Sequence, residues 1–288
     1  MKGMLAHIAV ADAYGAAFEF TDTPNIKNDL SGFGRHASGT LEKASYTDDL
    51  MRAMANVHVM LEENPYNPRC YARAYLDAYD QDQRSGWSKR FEGMLKKHVH
   101  RGATDFMRDL RRLPTNGCVM GVSVLGHLET AADVKLAATM QTVATHSAAA
   151  VPYAQVVALA AHHLLHGGTS VTALDFVLHE VEWEDDAQQN RFVRLTEEPP
   201  VPEMPAHTIA AGAMWAIANH DNLSDMLMWA CSRGRDTDSL AAVSVALGWA
   251  ARDIRSNLPR HLHDTVDTAA GRRHLAQMDL CLADMLKH

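Results

Sequence analysis

Apolar residues that recur roughly every 3.6 positions run through the chain from end to end, and this period constrains the fold more than any other feature of the sequence. The periodic stretches are residues 2–18, 48–62, 68–80, 118–129, 131–145, 149–166, 170–181, 207–219, 223–231, 238–253 and 270–286. Ala, Leu and Met dominate them, while the alternating β-branched pattern of half-buried strands is scarce. The expectation is an all-α protein. With 288 residues, 47% of them hydrophobic, the chain can bury a sizeable core. The helices after residue 206 would make a poor core on their own, so residues 1–288 are read as one compact domain. Two polar stretches punctuated by Pro or Gly, 21–46 and 182–206, read as loops. Long loops in a compact domain often cover a site.

Charge narrows the function classes. Lys plus Arg number 27 against 35 Asp plus Glu, a formal charge of -8, and no segment gathers a strongly basic run. Such a surface attracts a nucleic-acid backbone poorly; the stretch "KKHVHRGATDFMRDLRR" reads as a solvated helix face. Cys70, Cys118, Cys231 and Cys281 are far apart and form no CxxC pair, which argues against a zinc ribbon or a dense disulfide framework and for reduced thiols in a cytoplasm. His7 and Asp12 interrupt the apolar N-terminus, so it is not read as a signal peptide. No run is read as approaching the roughly 18 apolar residues of a membrane span. The stretch "VPYAQVVALAAHHLL" suits a core or an interface between copies, which leaves the oligomeric state open.

Two helix starts are unusually acidic. In "YTDDLMRAMANVHVML", Thr47, Asp48 and Asp49 open an apolar run, and in "RDTDSLAAVSVALGWAARDI" the same is true of Asp236, Asp238 and Ser239. Either start alone reads as an N-cap, in which a side-chain oxygen accepts from free backbone N–H groups and a carboxylate suits the positive end of the helix dipole. A cap needs one residue, not three. If the two starts face each other, four carboxylates and two hydroxyls converge, and their repulsion calls for a bound cation or raised pKa values. An oxygen-only donor set favours Mg²⁺, with Mn²⁺ or Ca²⁺ as substitutes, over zinc.

The ordered set "VADAYGAAFEF", "YTDD", "NGCVMGVSVLG", "ATHS" and "GRDTDSLAA" resembles the ADP-ribosylglycohydrolase family, the group that includes dinitrogenase-reductase-activating glycohydrolase and the eukaryotic ADP-ribosylhydrolases. The resemblance spans roughly Gly3 to Ala251, and its two acidic motifs are its most specific part. It implies an all-α fold with two Mg²⁺ ions at the floor of a cleft. The implied metal ligands are Thr47, Asp48, Asp49, Asp236, Asp238 and Ser239, the last standing where the family usually has threonine. Glu19 matches a glutamate beside the metals that serves as general base or positions substrate; Asp12 is read as structural, orienting backbone groups. Asn116 and Gly117 match a stretch that contacts substrate, suited to holding phosphate oxygens, and His146 matches a histidine near the substrate ribose.

The sequence departs from the family pattern at Ala11, where a glycine is usual, at Leu50, where "TDDT" ends in threonine, and at Gly121, where "NGAAMR" ends in arginine. The groups His162, His163 and His166, and His261 with His263, have ligand-like spacing but no acidic partners, and read as helix-surface or helix-end residues. The activity implied is Mg²⁺-dependent hydrolysis of the ribosyl C1″ bond of an ADP-ribosylated protein or a small ADP-ribosyl compound, with Glu19, Asp48 and Asp238 as the catalytic carboxylates. The competing reading is a weak or inactive binding or immunity protein using the same cleft, with Leu50 and Gly121 as its motive.

Overall fold

The computed structural model describes residues 3–36, 44–84, 86–266 and 272–287. The ends of two periodic stretches (Lys2, and residues 270–271) and part of the 21–46 stretch (37–43) therefore lie outside the described residues. Helices form at Met4–Gly15 (α1), Asp48–Glu62 (α2), Pro68–Gln81 (α3), Lys89–His98 (α4), Ala103–Asp109 (α5), Ala131–Thr145 (α6) and Val151–Leu165 (α7). They continue with Ser170–Glu180 (α8), Asp186–Glu197 (α9), Ala206–Asn219 (α10), Leu223–Ser232 (α11), Thr237–Ala250 (α12), Arg260–Thr265 (α13) and Arg272–Met285 (α14). The described residues contain no β-strand, as the all-α reading expects.

α1 and α12 are apolar on nearly every side and buried along almost their whole length, which makes them the central pair of the fold. They pack on each other, with α2, α7, α10 and α11 also against α12. Gly15, the last residue of α1, sets how closely they meet. A Cβ there would lie 2.6 Å from the Asp238 Cα, and the Thr237 hydroxyl donates to the Gly15 carbonyl at 2.9 Å. The acidic start of α12 is thereby drawn onto the end of α1.

Three expectations need correction. Residues 118–129 are not an α-helix but two 3₁₀ segments, Asn116–Cys118 and Val122–His127, broken at Gly121 with φ 62°. A Cβ on Gly121 would collide with the Ala53 nitrogen and lie 2.6 Å from its Cα. Second, 182–206 is not all loop: α9 is capped by Asp185, whose side chain accepts from the Gln188 N–H at 2.7 Å, and buries only Gln188, Phe192 and Thr196, a stripe too sparse to show as apolar periodicity. Third, Ala148–Leu165 does have the length and apolarity of a membrane span. Of that span, 67% is buried inside the fold, with α7 packed on α6, α8 and the 3₁₀ segment Val122–His127, as a core helix is.

The basic stretch read as a solvated helix face, residues 96–112, spans the end of α4 and all of α5 and turns His98 and Phe106 inward. A paired strip holds the next part of the site. The Asn116 N–H donates to the Met204 carbonyl at 2.6 Å, Ala206 N–H to Pro114 at 3.2 Å, and Asp236 N–H to Pro202 at 3.2 Å. Segments 113–116 and 202–206 thus tie the Asn116 turn to the start of α12.

Candidate metal centre

The end of α1 and the starts of α2 and α12 meet at one buried point. Asp12, wholly buried on α1, accepts from the Thr47 N–H at 2.9 Å, the Thr47 hydroxyl at 2.7 Å and the Leu50 N–H at 3.0 Å. It therefore caps α2 from a neighbouring helix, the backbone-orienting role read for it. What the site needs at position 50 is a backbone N–H; the Leu50 side chain is fully buried. Neither Thr47 nor Asp236, the residues at the two N-cap positions, makes a side-chain cap bond within its own helix. Of the two acidic starts, that of α12 makes a cap-like bond within its own first turn, Asp238 Oδ1 accepting from the Ser239 N–H at 2.9 Å.

The carboxylates of the two starts converge. Ligand oxygens of Asp12, Asp49 and Asp238 lie within 4.8 Å of one another, as do ligand atoms of Glu19, His36 and Asp238. One Asp49 oxygen accepts from the Ser239 hydroxyl at 3.2 Å, while the other, Oδ1, is buried with no hydrogen-bond partner. Burial first, and the neighbouring carboxylates next, hold Asp49 and Asp238 well above the usual carboxylate range. Burial likewise lifts Asp12 to about 7, against its hydrogen bonds from Thr47 and Leu50. It lifts Asp48 to about 6, against the pull of Arg52, and raises Glu19, against His36. Close-set, mutually repelling oxygens and an orphaned buried acceptor are the donor set of a hard divalent ion, so the residues present fit such a metal.

A cleft of about 360 Å³ opens above this point. Of the residues singled out in the sequence, Glu19, Asp48, Asn116, Gly117, His146, Asp236, Asp238 and Ser239 line it. Thr47 and Asp49 are not on its surface and sit fully buried. Asn116 reaches a carboxylate: its Nδ2 donates to Asp236 Oδ2 at 2.6 Å. Its side chain is thus committed to the acidic centre in addition to any substrate contact. His146 is buried, its Nδ1 2.8 Å from the Thr145 hydroxyl, and burial together with Arg52 and Arg90 holds it well below the usual histidine range, so its ring is neutral. Gly117 lets the chain pass so close that a Cβ would lie 2.9 Å from His146 Nε2.

Backbone strain flanks the acids. Phe20 and Arg235 both take left-handed φ, 45° and 63°, which non-glycine residues rarely adopt. The Phe20 N–H donates to the Arg235 carbonyl at 2.7 Å, joining the turns that present Glu19 and Asp236. Phe20 stands exposed at the cleft.

Sequence reasoning missed several contributors. His36, from the 21–46 stretch, places Nε2 3.1 Å from Glu19 Oε2. Gly86, with φ 120°, abuts the start of α2 where a Cβ would lie 2.8 Å from Asp48 Oδ1. Arg52 lines the cleft, and its one sequence signal is its place four residues after Asp48. The histidine groups set aside in the sequence are engaged elsewhere. His162 contacts the Gly126 carbonyl, His163 the Thr172 hydroxyl and His261 the Leu30 carbonyl; His162 and His263 are buried rather than surface residues.

The model of one family, ADP-ribosylglycohydrolase, matches residues 1–287. A solved structure, an ADP-ribosylglycohydrolase-related protein complex, superimposes with a TM-score of 0.75 over 99% of this chain and 96% of that chain, at 20% identity. At that identity the likeness speaks for the fold alone. No curated protein matches the sequence significantly.

Proposed function

Because the chain belongs to the ADP-ribosylglycohydrolase family, we propose that it hydrolyses the ribosyl C1″ bond of an ADP-ribosylated macromolecule, a protein side chain foremost, in a reaction that depends on a divalent metal ion. The observation that carries this reading is the meeting of Asp12, Asp49 and Asp238 within 4.8 Å in a buried floor beneath an open cleft. Mg²⁺, with Mn²⁺ as substitute, suits these oxygens. Asp48, Asp49, Asp236, Asp238 and the Ser239 hydroxyl would hold the metal, with Thr47 and Asp12 supporting them from beneath. When bound, the metal supplies positive charge that orients ribose hydroxyls and acidifies the attacking water.

The remaining chemistry falls to the chain's own groups. Glu19, raised by burial and set 3.1 Å from His36 Nε2, would accept a proton from the attacking water. Gly117 and the neutral His146, which line the same cleft as Glu19, would hold the substrate diphosphate and ribose. Leu50 and Gly121, the departures from the family pattern that favoured a non-catalytic binder, both lie off the cleft surface and are packed in the interior.

The test is release of ADP-ribose from arginine-linked and serine-linked peptides, in Mg²⁺ or EDTA, by wild type and Asp238→Ala. Release that needs both metal and Asp238 is the expected result. Tight binding of ADP-ribose without release from any adduct would replace the hydrolase with a binding protein.

A further inference from the structure

Arg52 is a buried cation beside the metal centre to which the hydrolase reading gives no task. Its side chain is 3% exposed, and its Nε lies 3.5 Å from Asp48 Oδ2. The guanidinium is boxed in by the rings of Tyr75, Trp87 and Phe91, at 5.2, 4.8 and 4.7 Å from their centroids. The Gly117 backbone closes the remaining side, where a Cβ would lie 3.0 Å from Nη2. Nε and Nη1 have no hydrogen-bond partner among the described residues. Arginine does not lose its proton in a protein, so this charge is permanent.

Asp48 differs from its neighbours in the same region. The two groups of converging ligand atoms are Asp12, Asp49, Asp238 and Glu19, His36, Asp238; Asp48 belongs to neither. Its cationic neighbour is instead the one supplied by the chain.

We propose that Arg52 takes the charge position of one of the two ions implied by the family resemblance, so that the centre holds a single divalent ion tightly, on Asp49, Asp236, Asp238 and Ser239, and Asp48 is left to Arg52. The inference rests on the metal-dependent reading above. A second ion on Asp48 would share a buried carboxylate with a guanidinium that the ring box prevents from swinging aside, and like charges repel strongly where water is excluded. The N–H groups left without partners, Nε and Nη1, are buried beside Asp48, so the charge they carry is not screened by water.

The experiment is a titration of the metal-stripped full chain with Mn²⁺, followed by calorimetry and by electron paramagnetic resonance. Wild type is expected to take one tight Mn²⁺ with the six-line spectrum of an isolated ion. Arg52→Met is expected to bind a second Mn²⁺ about tenfold or more tighter than wild type does, with a spin-coupled spectrum, while Arg52→Lys, which keeps the charge, stays at one. Two equally tight, coupled ions in wild type would overturn the inference and leave the hydrolase reading standing. Unchanged stoichiometry in Arg52→Met would overturn it too. If Arg52→Met does not fold, the wild-type and Arg52→Lys titrations decide. Failure of wild type to take up any Mn²⁺ would remove the metal-dependent reading and this inference together.

Discussion

Asn116 Nδ2 donates to Asp236 Oδ2 at 2.6 Å, so the turn that the sequence assigns to substrate also fixes a carboxylate of the metal centre. The same residue is anchored through its backbone N–H to Met204. Asn116→Ala should therefore weaken Mn²⁺ binding by about 10- to 100-fold, the usual effect of losing a partner that orients a ligand. Calorimetry on the metal-stripped protein measures this directly. If Asn116 served the substrate alone, Mn²⁺ affinity would stay constant and only KM would rise.

The raised carboxylates give the metal-free protein a definite pH response. Asp12 at about 7 and Asp48 at about 6 hold their protons more tightly folded than unfolded, and Asp49 and Asp238 are displaced in the same direction. Stability from such groups is fully present below the unfolded carboxylate value and is lost as pH rises through the folded values. A cation that pairs with the ionised carboxylates reverses the loss and must compete with protons below it. The rise in melting temperature on adding Mg²⁺ should thus grow steadily from pH 5 to pH 8. Taking the difference with and without Mg²⁺ cancels histidines away from the site, such as His127, lowered to about 4 by burial. An equal Mg²⁺ effect at both ends of the range would contradict the coupling.

Much of the fold and centre is legible in the sequence because the signals are local. Asp48, Asp49, Asp236 and Asp238 stand directly before apolar periodic runs, and that order of polar cluster and helix survives in three dimensions. Arg52 is legible only as a helical neighbour of Asp48, since the rings that make it a fixed charge come from α3, the segment before α4, and α4 itself. His36 sits in a stretch without periodicity, and nothing in its neighbours points to Glu19. Gly121 reads as a lost arginine when compared with a family pattern. In three dimensions it is the contact that seats the 3₁₀ segments on α2, reinforced by Asn56 Nδ2 donating to its carbonyl at 3.0 Å.

That contact yields a stability prediction. Gly121→Ala forces a side chain into φ 62° and against the Ala53 backbone, which has no room to yield within a helix. The expected cost is about 2–4 kcal/mol, combining backbone strain with overpacking. Gly93→Ala is the control. It lies within α4 with open space where its Cβ would be, so it should gain up to about 1 kcal/mol of helix propensity. Urea unfolding of the metal-free proteins separates the two; comparable effects of the two substitutions would show that residue 121 does not carry the contact.

Asp238 provides the sharpest separation of function from stability. It is buried at the floor of the cleft and repelled by Glu19, Asp236, Asp49 and Asp12, so without a cation its ionised form works against the fold. Asp238→Asn keeps the shape, removes the charge and adds an amide donor for a neighbouring carboxylate. At pH 8 in EDTA this variant should be more stable than wild type, by about 1–3 kcal/mol, as for other replacements that relieve uncompensated buried charge. In Mg²⁺ the order should reverse, because the wild type gains a ligand-bound state that the variant has weakened. Thermal melts in the two buffers decide the matter. A variant less stable than wild type in EDTA would mean that Asp238 is held by favourable contacts rather than strained by its neighbours, and the carboxylate cluster would then need no cation to explain it.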